Sequence, residues 1–118
     1  MVSAPIQEQS AIFPILEPSS PITAEYWNCM LVLRQFRPDI RGDARYLKPN
    51  TDFPQAGGVV IFKYRNGENF NDWHAGYIMW TSAKRIGIYE GWLGEERERV
   101  ISITDTTIFG FIEPIQSG

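Results

Sequence analysis

The chain has 118 residues, of which 43% are hydrophobic and 14% aromatic, and its formal net charge at pH 7 is -3. This composition is typical of one folded domain and excludes a disordered polar segment. The net negative charge offers no basic surface to nucleic acid or an anionic membrane, and no apolar run approaches the ~20 residues of a membrane span, so neither partner is expected.

The chain contains one cysteine, Cys29, and one histidine, His74. A single cysteine excludes an intramolecular disulfide, and a structural zinc site takes four Cys or His ligands, so we expect no metal and no other cofactor. The N-terminus has neither the positive charge nor the apolar core of a secretory signal peptide. Localisation therefore stays open between a phage particle and a host cytoplasm with release by another route.

Residues 1–21 are predicted to form a Pro-rich leader ahead of a domain at 22–118. Four prolines oppose a helix in the leader: Pro5, Pro14, Pro18 and Pro21. The run at 12–16 is too apolar for a solvated tail. Two interpretations follow. The leader packs along its own domain, or it docks as an arm on another subunit or virion protein.

The first predicted element is a helix over 22–36. Tyr26, Met30 and Leu33 recur at three- and four-residue spacing, and Pro38 ends the pattern. The helix is followed by a polar, turn-rich stretch, after which the period of the sequence changes.

Where this helix begins decides the chemistry of Cys29. If Asn28 is the N-cap, Cys29 lies in the first turn, where unpaired N–H groups and the helix dipole stabilise a thiolate. If the helix begins at Thr23, Cys29 lies mid-helix and this advantage is lost.

Five runs of β-branched and aromatic residues follow, separated by turn residues. They lie at 58–63, 74–80, 84–90, 99–103 and 107–112. One helix followed by five strands predicts an α+β domain with a curled antiparallel sheet. The mixed charges at 95–99 are interpreted as a solvated entry to the fourth strand.

The second and third runs predict a contact between His74 and Glu90. A three-residue hairpin loop at 81–83 pairs Trp80 with Lys84 and, in the same register, His74 with Glu90. Directly opposed residues point to the same side, with Cβ atoms ~4.5–5.5 Å apart, and a slip by one residue would separate them. The face so defined also carries Gly76, Ile78, Trp80, Ile86 and Ile88.

Cys29, His74 and Glu90 supply the three parts of a nucleophilic site: a thiol, a base and a group that orients the base. Each part also has a purely structural interpretation. A lone cysteine on an apolar helix is often a small buried hydrophobe, and a His–Glu pair is often a surface salt bridge. The sequence alone does not bring Cys29 to His74.

Several short motifs occur in a fixed order along the chain. They are Asn28-Cys29, Gly42-Asp43-Ala44, the segment 54–62, the segment 74–78, Ile88-Tyr89-Glu90 and the segment 110–114. Together they span nearly all of the chain after the leader. The ordered set resembles the NlpC/P60 and CHAP peptidoglycan hydrolases, which are papain-like in fold.

The resemblance implies a papain-like catalytic domain that cleaves an amide bond of peptidoglycan, with the peptide stem as substrate. Cys29 would attack the carbonyl and form a thioester, His74 would act as base and then acid, and Glu90 would orient the imidazole. The backbone N–H of Cys29 would hold the oxyanion, with the side chain of Asn28 or Tyr26 as a second donor.

The chain departs from the family pattern at two tryptophans. Trp73 precedes the histidine where glycine is common, and Trp92 lies two residues after the acid, where asparagine is common. These two rings are predicted to line a substrate groove or, alternatively, to cap the core. Two other functions stay open: a phage tail or baseplate component with auxiliary or lost activity, and a papain-like amidase or acyltransferase acting on another substrate.

Overall fold

The computed structural model describes residues 21–115, with side chains described from Cys29 onward. Within this range one α-helix, α1 (Pro21–Phe36), precedes five strands, and two 3-10 turns lie at Ala44–Tyr46 and Phe70–Asp72. The strands are β1 (Val59–Lys63), β2 (Trp73–Thr81), β3 (Arg85–Trp92), β4 (Glu95–Ser102) and β5 (Ile108–Ile112). The predicted α+β class, with one helix and a five-stranded antiparallel sheet, is confirmed. Residues 1–20 lie outside the described range, so both interpretations of the leader stay predictions.

The strands form one sheet in the order β4-β3-β2-β1-β5, with antiparallel neighbours throughout. Each strand pairs with the next in sequence, except that β5 returns to pair with β1. The β3–β4 connection is a two-residue turn, in which Leu93 and Gly94 both have positive φ. Such a turn matches the twist of its strands, and Gly94 adopts this conformation without strain.

The sheet is strongly curled. Arg99 on β4 lies over the ring of Phe62 on β1, with its guanidinium carbon 5.1 Å from the ring centroid. Two strands lie between β4 and β1, so in a flat sheet these backbones would be ~14 Å apart. We call the inner surface of this curl the concave face. Its apolar part consists of Val60, Phe62, Ile78, Ile86, Ile88, Ile101 and Phe111.

The opposite surface, which we call the helix face, is covered by α1. Cys29, Met30 and Leu33 share one buried cluster with residues of β1 and β2, among them Ala75. The C-terminal end of the helix packs on aromatic rings, and Phe36 stacks on Tyr77 with centroids 4.3 Å apart. Within residues 21–115 no helix has both the length and the apolarity needed to cross a membrane.

The β2–β3 hairpin differs from the predicted register. Tyr77 pairs with Tyr89 and Ile78 with Ile88, a shift of two residues from the predicted pairing. A bulge at Met79 then moves Trp80 opposite Gly87, on the helix side of the sheet. The pairing of Trp80 with Lys84 is therefore wrong, and so is the placement of Trp80 on the face of His74. The indole fills the space above Gly87, where any Cβ would clash with it.

Candidate functional site

His74 and Glu90 lie together at one end of the concave face. Their side chains are 4% and 0% exposed, and His74 Nε2 lies 2.7 Å from Glu90 Oε1. The predicted contact is confirmed, although its predicted register is wrong. A shift of two residues keeps both side chains on the same face, because facing alternates with a period of two. His74 and Glu90 are diagonal neighbours on adjacent strands, because Glu90 lies directly beside Gly76, two residues after His74.

Two arginines of β4 complete the site. The sequence analysis did not predict them. The register places Arg97 opposite Glu90 and Arg99 opposite Ile88, so both point toward the carboxylate. Arg97 Nε lies 2.5 Å from Glu90 Oε2, while Arg99 donates to both oxygens at 2.8 and 3.0 Å. The carboxylate therefore receives four charge-assisted hydrogen bonds, including that of His74.

These contacts decide the ionisation of Glu90. Burial alone would raise its pKa, but the hydrogen bonds from His74 and Arg99 outweigh burial and lower the pKa to about 2. The carboxylate is thus an anion at neutral pH, and the imidazole Nε2 donates to it. The arrangement is a buried ionic cluster, which we call the Glu90 cluster: Glu90, His74, Arg97 and Arg99.

Aromatic rings enclose this cluster. The His74 ring lies 5.5 Å from Phe62 and meets the edge of Trp92 at 5.1 Å. The guanidinium of Arg97 lies over Trp92, 5.0 Å from the ring centroid. Trp92 is half-buried, so its other surface is available to solvent at the rim of the cluster.

Trp73 does not share a groove with Trp92. It lies one residue before His74 on β2, so its side chain points to the helix face. There its indole N–H donates to the carbonyl of Gly67 at 2.9 Å, and its ring meets Phe109 at 5.0 Å. The predicted groove with Trp73 and Trp92 as its two walls is wrong, because the sheet lies between them.

Cys29 is 1% exposed and lies within the core of the helix face. The helix begins at Pro21, eight residues before Cys29, so the prediction of Asn28 as N-cap is wrong. At this depth in a helix the N–H of Cys29 points toward the carbonyl four residues earlier. The backbone is not free to hold an oxyanion there. The side chains of Tyr26 and Asn28 lie outside the described part, so their oxyanion role stays a prediction.

The structure does not bring Cys29 to His74. The thiol belongs to the cluster that contains Ala75, whereas His74, the preceding residue, contacts Phe62, Glu90 and Trp92 on the opposite side. The sheet therefore separates the predicted nucleophile from its predicted base. Of the three predicted catalytic residues, only His74 and Glu90 meet.

In the described part of the chain, two further charged side chains are buried outside the Glu90 cluster: Arg37 and Asp72, of which Asp72 pairs with Arg65. Arg37 pairs with Asp39 and donates to the carbonyls of Gly57 and Glu113, both at 3.0 Å. This ties the end of α1 to the sheet. Among the described residues, no group of three or more Cys, His, Asp or Glu is arranged to hold a metal ion.

Comparison of the chain with protein-family models, with curated proteins and with solved structures finds no match in any of the three. The NlpC/P60–CHAP family assignment and its papain-like fold therefore stay predictions.

Proposed function

We propose that this domain is a binding or structural module and not a cysteine hydrolase. One observation carries the proposal: Cys29 and His74 project to opposite faces of the sheet. A cysteine nucleophile needs a base within hydrogen-bonding reach of its proton, directly or through one water. A sheet between the two groups prevents that transfer.

The Glu90 cluster supports the same proposal. In a cysteine hydrolase the third residue orients the base toward the thiol. Here the carboxylate of Glu90 is shared by His74 and two arginines, one of which is 40% exposed at the side chain. The cluster thus closes one end of the concave face and presents a cationic group at its rim. Such an arrangement is suited to holding a ligand or a partner.

We further propose that the domain is a component of a larger assembly, such as a phage tail or baseplate. The apolar, Pro-rich composition of residues 1–21 supports this, because a segment of that kind is suited to packing on a protein surface.

Reactivity of the cysteine tests the proposal. We expect the folded full chain to react with iodoacetamide at pH 7 at least about tenfold more slowly than the urea-unfolded chain, because the thiol is buried. The matched control is Ser82→Cys in a Cys29→Ala background, which places a thiol at an exposed turn and should react in the folded state.

Clearing of purified peptidoglycan in a gel provides the second measurement. We expect the wild type and the Cys29→Ala variant to behave alike, with no clearing that depends on the thiol. Clearing by the wild type that disappears in both Cys29→Ala and His74→Ala would overturn the proposal in favour of the hydrolase.

A further inference from the structure

We propose that Arg97 is an oxyanion receptor, which binds a carboxylate or phosphate group at the rim of the concave face. The proposal gives the binding module a ligand class, and in that sense it rests on the proposed function. It depends on the position of Arg97, which two fixed groups hold from different directions.

The first of these groups is Glu90. Its carboxylate is fully buried and accepts a hydrogen bond from Arg97 Nε at 2.5 Å. The second is Trp92, whose ring lies under the guanidinium at 5.0 Å. The bond at Nε and the contact with the ring therefore hold the guanidinium from two directions.

The outer edge of this fork donates to no other group of the described part of the chain. Within the described residues, neither Nη1 nor Nη2 of Arg97 has a hydrogen-bond partner, although the side chain is 40% exposed. These two nitrogens are the pair that binds two oxygens of a carboxylate or phosphate side by side. Because the fork is already held, a ligand would bind without ordering a flexible side chain.

The charge of the cluster favours an anion. Within the cluster, Arg97 and Arg99 contribute two positive charges and Glu90 one negative charge. Two carboxylates oppose the remaining positive charge. Asp105 interacts electrostatically with Arg99, and Glu95 lies on the same strand face as Arg97, two residues away and opposite Trp92. Its side chain forms no ion pair with Arg97 among the described contacts, and it is exposed to solvent. Screening by water weakens its effect.

Titration of the full chain with three probes tests the proposal: sodium acetate, N-acetylalanine and inorganic phosphate, each at constant ionic strength. Binding is read from NMR signals of arginine Nε–H and tryptophan indole N–H groups. We expect saturable shifts of the Arg97 and Trp92 signals. N-acetylalanine resembles the end of a peptide and phosphate resembles a phosphoester, so their relative affinities identify the source of the oxyanion.

Three variants sharpen the test. Arg97→Lys keeps the charge but removes the fork, and should weaken binding by about tenfold or more. Glu95→Gln should strengthen binding by roughly two- to fivefold, because an opposing charge is removed. Arg85→Lys is the matched control: it changes an exposed arginine at the other end of β3 and should leave the affinity unchanged.

The absence of saturable binding for all three probes would overturn the proposal, as would equal affinities of wild type and Arg97→Lys. The Glu95→Gln variant keeps the result interpretable if Arg97→Lys folds poorly, because its expected effect has the opposite sign. These measurements do not involve Cys29. A peptidoglycan-clearing activity that requires the thiol would therefore contradict the proposed function separately from this one.

Discussion

The two faces of the sheet use alternate residues of the same strands, yet they differ in chemistry. On β2, Ala75 and Tyr77 join the apolar packing under α1, while His74 and Ile78 line the concave face. The helix face holds the thiol in hydrocarbon packing. The concave face is apolar at one end and ionic at the other. The face to which a side chain points therefore decides which groups it can contact. Residues that are adjacent in sequence can lie on opposite sides of the sheet and have no contact with each other's surroundings.

We expect a large effect on stability at the ionic end of the concave face. Glu90→Ala should reduce the free energy of unfolding by about 2–4 kcal/mol, because the buried His74 loses its partner and Arg97 and Arg99, which are partly exposed and screened by water, lose their counter-ion. Urea unfolding followed by circular dichroism measures this. Glu98→Ala, an exposed position on the same strand as the arginines, should change it by no more than about 0.5 kcal/mol. A loss below about 1 kcal/mol for Glu90→Ala would contradict the stabilising role of the cluster.

Lowering the pH should destabilise the protein through the concave face, which holds Glu90, and not through the helix face. The pKa of Glu90 is about 2 in the folded chain and 4.5 ordinarily, so its ionisation stabilises the fold above pH 4.5. That stabilisation, about 3 kcal/mol, is lost as pH falls from about 4.5 toward 2. Urea unfolding across this range should show a smaller loss in Glu90→Gln than in the wild type.

Leu33→Ala supplies the control for the acid measurement. It should cost about 2–5 kcal/mol at every pH through a cavity on the helix face, and it should keep the acid sensitivity of the wild type. The comparison fails if Glu90→Gln loses as much stability in acid as the wild type does.

The smallest effect is expected at Cys29. Cys29→Ala should lower the free energy of unfolding by about 1 kcal/mol, because only a small buried group is removed from the helix face. Phosphate titration should give the same affinity as in the wild type. A changed affinity would show that the two faces are coupled.

Much of the fold could be predicted from the sequence. The pattern of Tyr26, Met30 and Leu33 predicts the helix, and the five apolar runs correspond to the five strands. The predicted start at residue 22 lies one residue after the observed start at Pro21, whereas the alternative with Asn28 as N-cap is wrong. Proline is tolerated at the first helical position, since its missing N–H has no partner there.

The site was predictable only in part. The contact of His74 with Glu90 survives an incorrect register because a shift of two residues preserves the face. The bulge at Met79 leaves no clear mark in the sequence, so the position of Trp80 could not be predicted. Arg97 and Arg99 lie in a run of mixed charges, and only pairing with β3 determines that they face Glu90.

Strand β4 has a second consequence, because it is the outermost strand of the sheet within residues 21–115. Backbone groups along an unpaired edge can recruit a strand from another molecule and begin aggregation. Five of the eight residues of β4 are charged, and they form the continuous run 95–99. A second strand added here would have to accommodate these charges along its length. The residues that hold the buried carboxylate therefore belong to a segment that also discourages uncontrolled strand addition.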